Sequence, residues 1–281
     1  MFRKIAIAGL GLIGGSIALA VKSKSPTTKV IGITRNPETL LKTGFQKYVD
    51  VVADYSNLGF LSEVEFCVIS TVVSAIPNAF RTIKPFLRSD AVVTDVGSVK
   101  EWVVKQIDDS LFVGSHPMAG SEKSGVENAD PKIFEDAVCV VTPFNSSEQN
   151  VKIVSEFWNF LGMKVLILPP EVHDMIVSET SHFVHIVSFL ISDILSQSEY
   201  AKNLFYGVFG KGLLDTTRIS KSDPSLWVEI FQMNKTNILK VLEKFIELAS
   251  EIRDHISSED WEYVKDVLDR AKKFRESLDC R

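Results

Sequence analysis

Gly9-Leu10-Gly11-Leu12-Ile13-Gly14 stands directly after an apolar run and directly before a helical pattern. Glycines at this spacing suit a dinucleotide. Gly9 permits a tight turn, Gly11 lets the backbone approach a pyrophosphate, and Gly14 lets the next helix pack on the strand. The helix start then offers unpaired N–H groups and the positive end of its dipole to the phosphates. Gly9, Gly11, Leu12, Ile13 and Gly14 are therefore expected to hold a nicotinamide dinucleotide, with Ser70 and Thr71 beside them at the end of the strand at 65–70. NAD sites place an acid at the end of the second strand, on the ribose hydroxyls. Here that stretch reads Gly32-Ile33-Thr34-Arg35-Asn36-Pro37, with no acid. Thr34 can hydrogen-bond a 2′-phosphate and Arg35 can grip it through its fork of donors, which favours NADP over NAD.

Four of the five histidines, His116, His173, His182 and His185, fall between positions 116 and 185. His116 follows a strand and opens a loop, and in an open α/β sheet ligands bind at the carboxyl ends of strands. That places its imidazole beside the nicotinamide, with a side chain suited to taking a proton near neutrality. Ser98, in Asp95-Val96-Gly97-Ser98-Val99-Lys100, follows another strand on the same rim, where its hydroxyl can orient the imidazole. His182 and His185 are three apart on a helix and share a face. His173 reads as a structural or hinge residue.

These groups need a sheet to hold them. Strand-like runs at 4–8, 29–34, 65–70, 91–95, 112–115, 137–142 and 164–168 alternate with helical stretches such as 15–24, 74–87 and 147–161. The pattern predicts βαβ units and an α/β fold, an N-terminal Rossmann-type doubly wound, mostly parallel sheet over residues 1–168. After Pro169-Pro170 the texture becomes helical, with long segments at 171–199, 224–256 and 258–278. Residues 169–281 are thus expected to form an all-helical substrate and dimerisation domain. Asp223 before Pro224 supplies an N-cap and a first-turn proline.

The motifs carry a resemblance. Gly9 to Ser16, Asp95 to Lys100, His116-Pro117-Met118-Ala119-Gly120 with Glu122 to Val126, Ser181-His182 with His185, and Asp215 to Pro224 resemble, in type and order, the prephenate/arogenate dehydrogenases of tyrosine biosynthesis. The resemblance implies oxidative decarboxylation of prephenate to 4-hydroxyphenylpyruvate, or of arogenate to tyrosine. Under it His116 accepts the ring hydroxyl hydrogen as hydride leaves, while Ser98 holds the ring and touches the cofactor. Arg218 takes a carboxylate through a bidentate pair. His185 contacts the substrate side chain, Ser181 and His182 complete that wall, and Ser121 and Glu122 line the side-chain pocket. The C-terminal helices pair with a second copy, and Trp227 reaches the neighbouring active site. Two departures stand out: Ser70-Thr71-Val72 where relatives usually carry a proline, and Leu214 where they often carry Lys or Arg.

Composition narrows the field further. The 281 residues carry 31 basic and 36 acidic side chains, net −5, with 45% hydrophobic residues. A mildly acidic chain with no basic run argues against nucleic acid as a partner. The apolar stretch 183–194 is interrupted by His185 and Asp193 and falls short of the roughly 20 residues of a membrane span. Cys67, Cys139 and Cys280 are odd in number and scattered, which fits neither a disulfide framework nor a zinc site. The apolar run from Ile5 leads into the glycine loop without a cleavage signal, so a cytoplasmic protein is expected, and the apolar C-terminal helices together with the resemblance imply a homodimer. Rival readings are a β-hydroxyacid dehydrogenase or imine reductase, which would lean on a lysine of the helical domain. A nucleotide sensor would need neither His116 nor Arg218.

Overall fold

The computed structural model describes residues 2–120, 123–202 and 207–279. Eight strands form one sheet: β1 (Lys4–Ala8), β2 (Lys29–Ile33), β3 (Val51–Ala53), β4 (Phe66–Ile69), β5 (Val92–Asp95), β6 (Phe112–Pro117), β7 (Val138–Thr142) and β8 (Lys164–Ile167). Their order is β3-β2-β1-β4-β5-β6-β7-β8. Pairings from β3 across to β6 are parallel, β7 runs antiparallel to β6, and β8 is parallel to β7. The expected doubly wound, mostly parallel sheet is present. β3 is an addition, a three-residue edge strand too short to leave a pattern in the sequence.

Every residue of β4 and β5 is buried. Continuous apolar strands of this kind need cover on both faces of a parallel sheet. One face packs α1 (Leu12–Lys24) and α5 (Glu148–Leu161), with Ile17, Val21, Phe157 and Trp158 in a shared core. The other packs α3 (Ile76–Ile83) and α4 (Glu101–Ile107), through Ile76, Phe80, Val103 and Val104. The short α2 (Pro37–Thr43) follows β2. Each large apolar side chain buried in these layers contributes roughly 1.5–3 kcal/mol. Chain order reverses at β1, whose neighbours are β2 and β4, and a doubly wound sheet opens a ligand crevice at that switch point.

Beyond β8 come α6 (Pro170–Val177), a π turn (Ser178–His182) and α7 (Phe183–Gln197) in one run of 28 residues. This corrects the reading of the apolar stretch as too short. By length and composition, with a mean hydropathy of 1.3 in its most apolar window, Pro170–Gln197 is long enough to cross a membrane. Next come α8 (Glu199–Lys202), α9 (Lys211–Thr217) and α10 (Pro224–Met233). Asp223 caps α10 by accepting from the Ser225 N–H at 2.9 Å, as expected of an N-cap before proline.

The helix expected over 224–256 is broken. Asn234 separates α10 from α11 (Lys235–Ser257), and α12 (Trp261–Leu278) follows. Asn234 is buried and donates its side-chain amide to the Asp174 carbonyl at 2.7 Å, a tertiary demand that overrides helical periodicity. The chain forms two compact units, Met1–Asn234 and Lys235–Arg281. In the second, α11 and α12 pair as a hairpin, with His255 stacked on Tyr263 and Asp260 capping α12.

Candidate active site

β6 delivers His116. The strand runs to Pro117, so His116 lies within it, opposite Val140 of β7, rather than opening the following loop. Its ring is 9% exposed and lines a cleft of about 600 Å³ at the carboxyl ends of β1, β4 and β5. Behind it stands a buried line of polar groups. His116 Nδ1 is 2.8 Å from His173 Nε2, and His173 Nδ1 is 2.7 Å from Asp174 Oδ1. The Asp174 carboxylate also accepts the Lys100 and Glu101 backbone N–H groups, at 2.8 and 3.0 Å, at the start of α4. His173, expected as a structural or hinge residue, is buried behind the cleft wall and tied directly to His116.

Lys100 ties the two strands beneath the cleft together. Its ammonium pairs with Asp95 at the end of β5 and donates to the Ser115 carbonyl of β6 at 2.9 Å. Asp95 also accepts the backbone N–H groups of Gly97 and Ser115, so no oxygen of this buried pair is left bare. Burial holds the His116 imidazole well below its ordinary pKa of 6.5, and the nearby His173, Lys100 and His182 add to that effect. Such a ring is neutral at neutral pH, with one nitrogen lone pair open to a hydrogen bond from a bound ligand.

The π turn aligns the helical side of the site. His173 and His182 are nine residues apart, which on a plain α-helix points them about 180° away from each other. A π turn holds one extra residue, so the angle closes to about 80°, and that between His173 and His185 to about 20°. His185 donates Nδ1–H to the Ser181 carbonyl at 3.0 Å and stacks on Trp227 with ring centroids 3.6 Å apart. Burial lowers its pKa, the Ser181 bond opposes this, and Arg218 adds to the lowering. Ser181, His185, Arg218 and Trp227 all line the cleft with His116 and Ser98.

Several expectations change. Trp227 sits in the cleft of its own chain, because Asp223 and Pro224 start α10 beside it. Among the described residues no hydrogen bond joins Ser98 to His116; the ring is held by His173, which reaches it from α6. His182 is 1% exposed and stands behind the wall, accepting from Asn234 at Nδ1, with no partner among the described residues for Nε2. Burial takes it down to about 4, against the pull of Asp174, with His173 and His185 adding to the drop. Ser121, Glu122 and Cys280 lie outside the described residues; Cys67 and Cys139 are buried and free.

The glycines divide their work. At Gly9, φ is +99° and a Cβ would stand 2.3 Å from the Ser70 carbonyl oxygen. At Gly14 a Cβ would meet the Gly9 carbonyl at 2.0 Å, so this glycine serves packing and lines neither cleft. A Cβ at Gly11 would point into open space, where the cleft of His116 meets a second of about 830 Å³. Gly11, Ser70 and Thr71 line both; Leu12 and Ile13 line the first, Thr34 and Arg35 the second. No side chain caps the N-terminus of α1. Two adjoining clefts around an uncapped helix start and an open glycine backbone fit an extended dinucleotide, with its phosphates at Gly11.

Comparison with known proteins bears on this geometry. Residues 17–167 match the family model described as prephenate dehydrogenase, nucleotide-binding domain, and residues 169–270 match its dimerization domain. A prephenate dehydrogenase of Bacillus subtilis is 33% identical over 99% of this chain and 76% of its own length. A cyclohexadienyl dehydrogenase of Zymomonas mobilis is 29% identical over 99% of this chain and 97% of its own. The crystal structure of prephenate dehydrogenase from A. aeolicus, in complex with hydroxyphenyl propionate and NAD+, superposes with a TM-score of 0.91. It is 30% identical and covers 99% of each chain.

Proposed function

The chain belongs to the prephenate dehydrogenase family, and from that premise we propose how its cleft divides the work. The activity is the oxidative decarboxylation of prephenate to 4-hydroxyphenylpyruvate in tyrosine biosynthesis, with NAD(P)+ as the oxidant. A nicotinamide, when bound, takes the hydride that leaves the ring carbon. His116 accepts the proton of the hydroxyl on that carbon, and its place on the cleft wall, with Nδ1 tied to His173 at 2.8 Å, is the observation that carries this role. Ser98 holds the hydroxylated carbon in register from the neighbouring strand end. Arg218 binds a substrate carboxylate through its fork of donors. His185, fixed by the Ser181 carbonyl, offers Nε2 to the substrate side chain, and Trp227 closes that wall. Ser121, Glu122 and His182 are assigned to the side-chain end on the family pattern alone.

The cofactor is a nicotinamide dinucleotide, and NADP is the preferred form in our reading. Thr34 and Arg35 stand at the end of β2, on the second cleft, where an acid would repel a 2′-phosphate and they attract it. The protein is assigned as a homodimer. Ile176, Val184, Leu190 and Ile194, each more than 40% exposed along the Pro170–Gln197 helix, give a second copy an apolar face to cover.

Initial rates at 340 nm, with prephenate or arogenate against NAD or NADP, test the assignment. Turnover is expected with prephenate and NADP. Silence in all four combinations would overturn the functional reading, and a preference for NAD would overturn the reading of Thr34 and Arg35.

A further inference from the structure

We propose that His173 is a positioning residue that fixes the tautomer of His116, with Asp174 setting the direction of the line. The directions follow from counting donors. Asp174 is surrounded by N–H groups, from Lys100 and Glu101 in the backbone and from the His173 ring, and accepts from all three. His173 Nδ1 therefore carries a hydrogen and donates it, and in a ring that carries one hydrogen Nε2 is a bare lone pair. That lone pair, 2.8 Å from His116 Nδ1, has one partner to accept from, so Nδ1 of His116 carries the hydrogen. Nε2 of His116 is left as the acceptor available to the cleft.

The arrangement decides both where the proton goes and what happens to the charge. When the substrate hydroxyl gives its proton to His116 Nε2, the Nδ1–H stays bonded to His173 and no second transfer is required. The positive imidazolium is then opposed by the Asp174 carboxylate at the far end of the line. His173 is 1% exposed and Asp174 1% exposed, so no water competes for these bonds. Asp174 is in turn fixed from two sides, since Asn234 holds its backbone carbonyl while α4 holds its carboxylate. The π turn matters here too, because it turns His185 onto the face of the helix that His173 occupies. A second histidine thus does for His116 what an aspartate does for the histidine of a serine protease triad, where loss of the correct tautomer lowers kcat steeply.

This inference rests on His116 being the proton acceptor, and the tests separate the two. Nitrogen shifts of 15N-histidine-labelled full-length protein, with His116 assigned by its loss in a His116→Asn variant, read the tautomer without turnover. In the unmodified protein His116 is expected protonated at Nδ1 and bare at Nε2. In His173→Leu both tautomers should appear, kcat should fall about 100-fold or more, and KM should stay within about threefold. His173→Gln, whose amide oxygen can accept from Nδ1–H, should recover at least about tenfold of that loss, and a purely structural role would not produce this rescue. An Nε2–H tautomer in the unmodified protein overturns the proposal. So does a His173→Leu enzyme within about tenfold of the parental kcat while His116→Asn is inactive. A fully active His116→Asn enzyme would instead remove the premise. Should His173→Leu fail to fold, the tautomer in the unmodified protein and the Gln variant still decide.

Discussion

On the sheet side of the cleft, Asp95, Lys100, Ser115, His173 and Asp174 are each no more than 1% exposed. Every one is held by hydrogen bonds or an ion pair between two or more elements. On the ligand side, Arg218 begins a short 3-10 turn and Arg35 a loop, and both side chains are exposed. The contrast separates two kinds of work. Moving a proton demands a ring held in one orientation and kept out of water, which buried pairs provide. Gripping carboxylates and phosphates demands cations that a ligand can reach, which exposed arginines provide. Damage to the first side should appear in folding and kcat, and damage to the second in KM.

The largest effect is expected from Lys100→Met, which leaves the Asp95 carboxylate buried without its cation. Breaking a buried pair from one side typically costs about 3–5 kcal/mol, a large share of the total stability of a domain. Urea denaturation should show that loss; a change below about 1 kcal/mol would mean that the pair does not organise this side. Acid should weaken the same side. The unfolded His182 takes up a proton near 6.5 and the folded one only near 4, so the unfolded state binds protons first as pH falls. Stability is complete above 6.5 and declines between 6.5 and 4 by about 3 kcal/mol from this group. Thermal melts from pH 6.5 down to about 5, above the ordinary carboxylate range, check most of that decline; a flat profile would contradict it.

Effects on the ligand side are smaller. Arg218→Gln should raise the KM for prephenate about 30-fold or more with kcat less affected, as expected for a group that binds in ground and transition states alike. An unchanged KM would refute the carboxylate contact. Arg35→Ser should raise the KM for NADP about tenfold and leave that for NAD nearly unchanged. Equal changes for both cofactors would remove the 2′-phosphate from its role.

The same two sides differ in how far the sequence reveals them. Gly9, Gly11 and Gly14, the alternation of strands and helices, and the position of Ser98 after its strand are local patterns, and the structure carries them as expected, whereas His116 lies inside its strand rather than after it. What escaped the sequence is what depends on tertiary contact. His173 looks like any buried helical histidine until α6 is laid against β6. The π turn leaves no mark in hydrophobic periodicity, so the shared face of His173 and His185 could not be read. Asn234 interrupts a good helical pattern because its amide is needed by Asp174 and His182. The reversal of β7 follows the segment 118–137, whose described residues form two short 3-10 turns, Val126–Asn128 and Pro131–Phe134, and no α-helix to carry a parallel crossover.

The contrast rests on His116 as the buried proton acceptor, and one measurement reaches it directly: the steady-state kinetics of His116→Asn with prephenate at neutral pH. The amide keeps much of the ring's volume and can hydrogen-bond, but it cannot take the proton. A kcat lower by about a thousandfold or more, with KM within a fewfold of the parent, is the predicted result. A kcat within about tenfold of the parent would contradict the account and move proton acceptance elsewhere in the cleft.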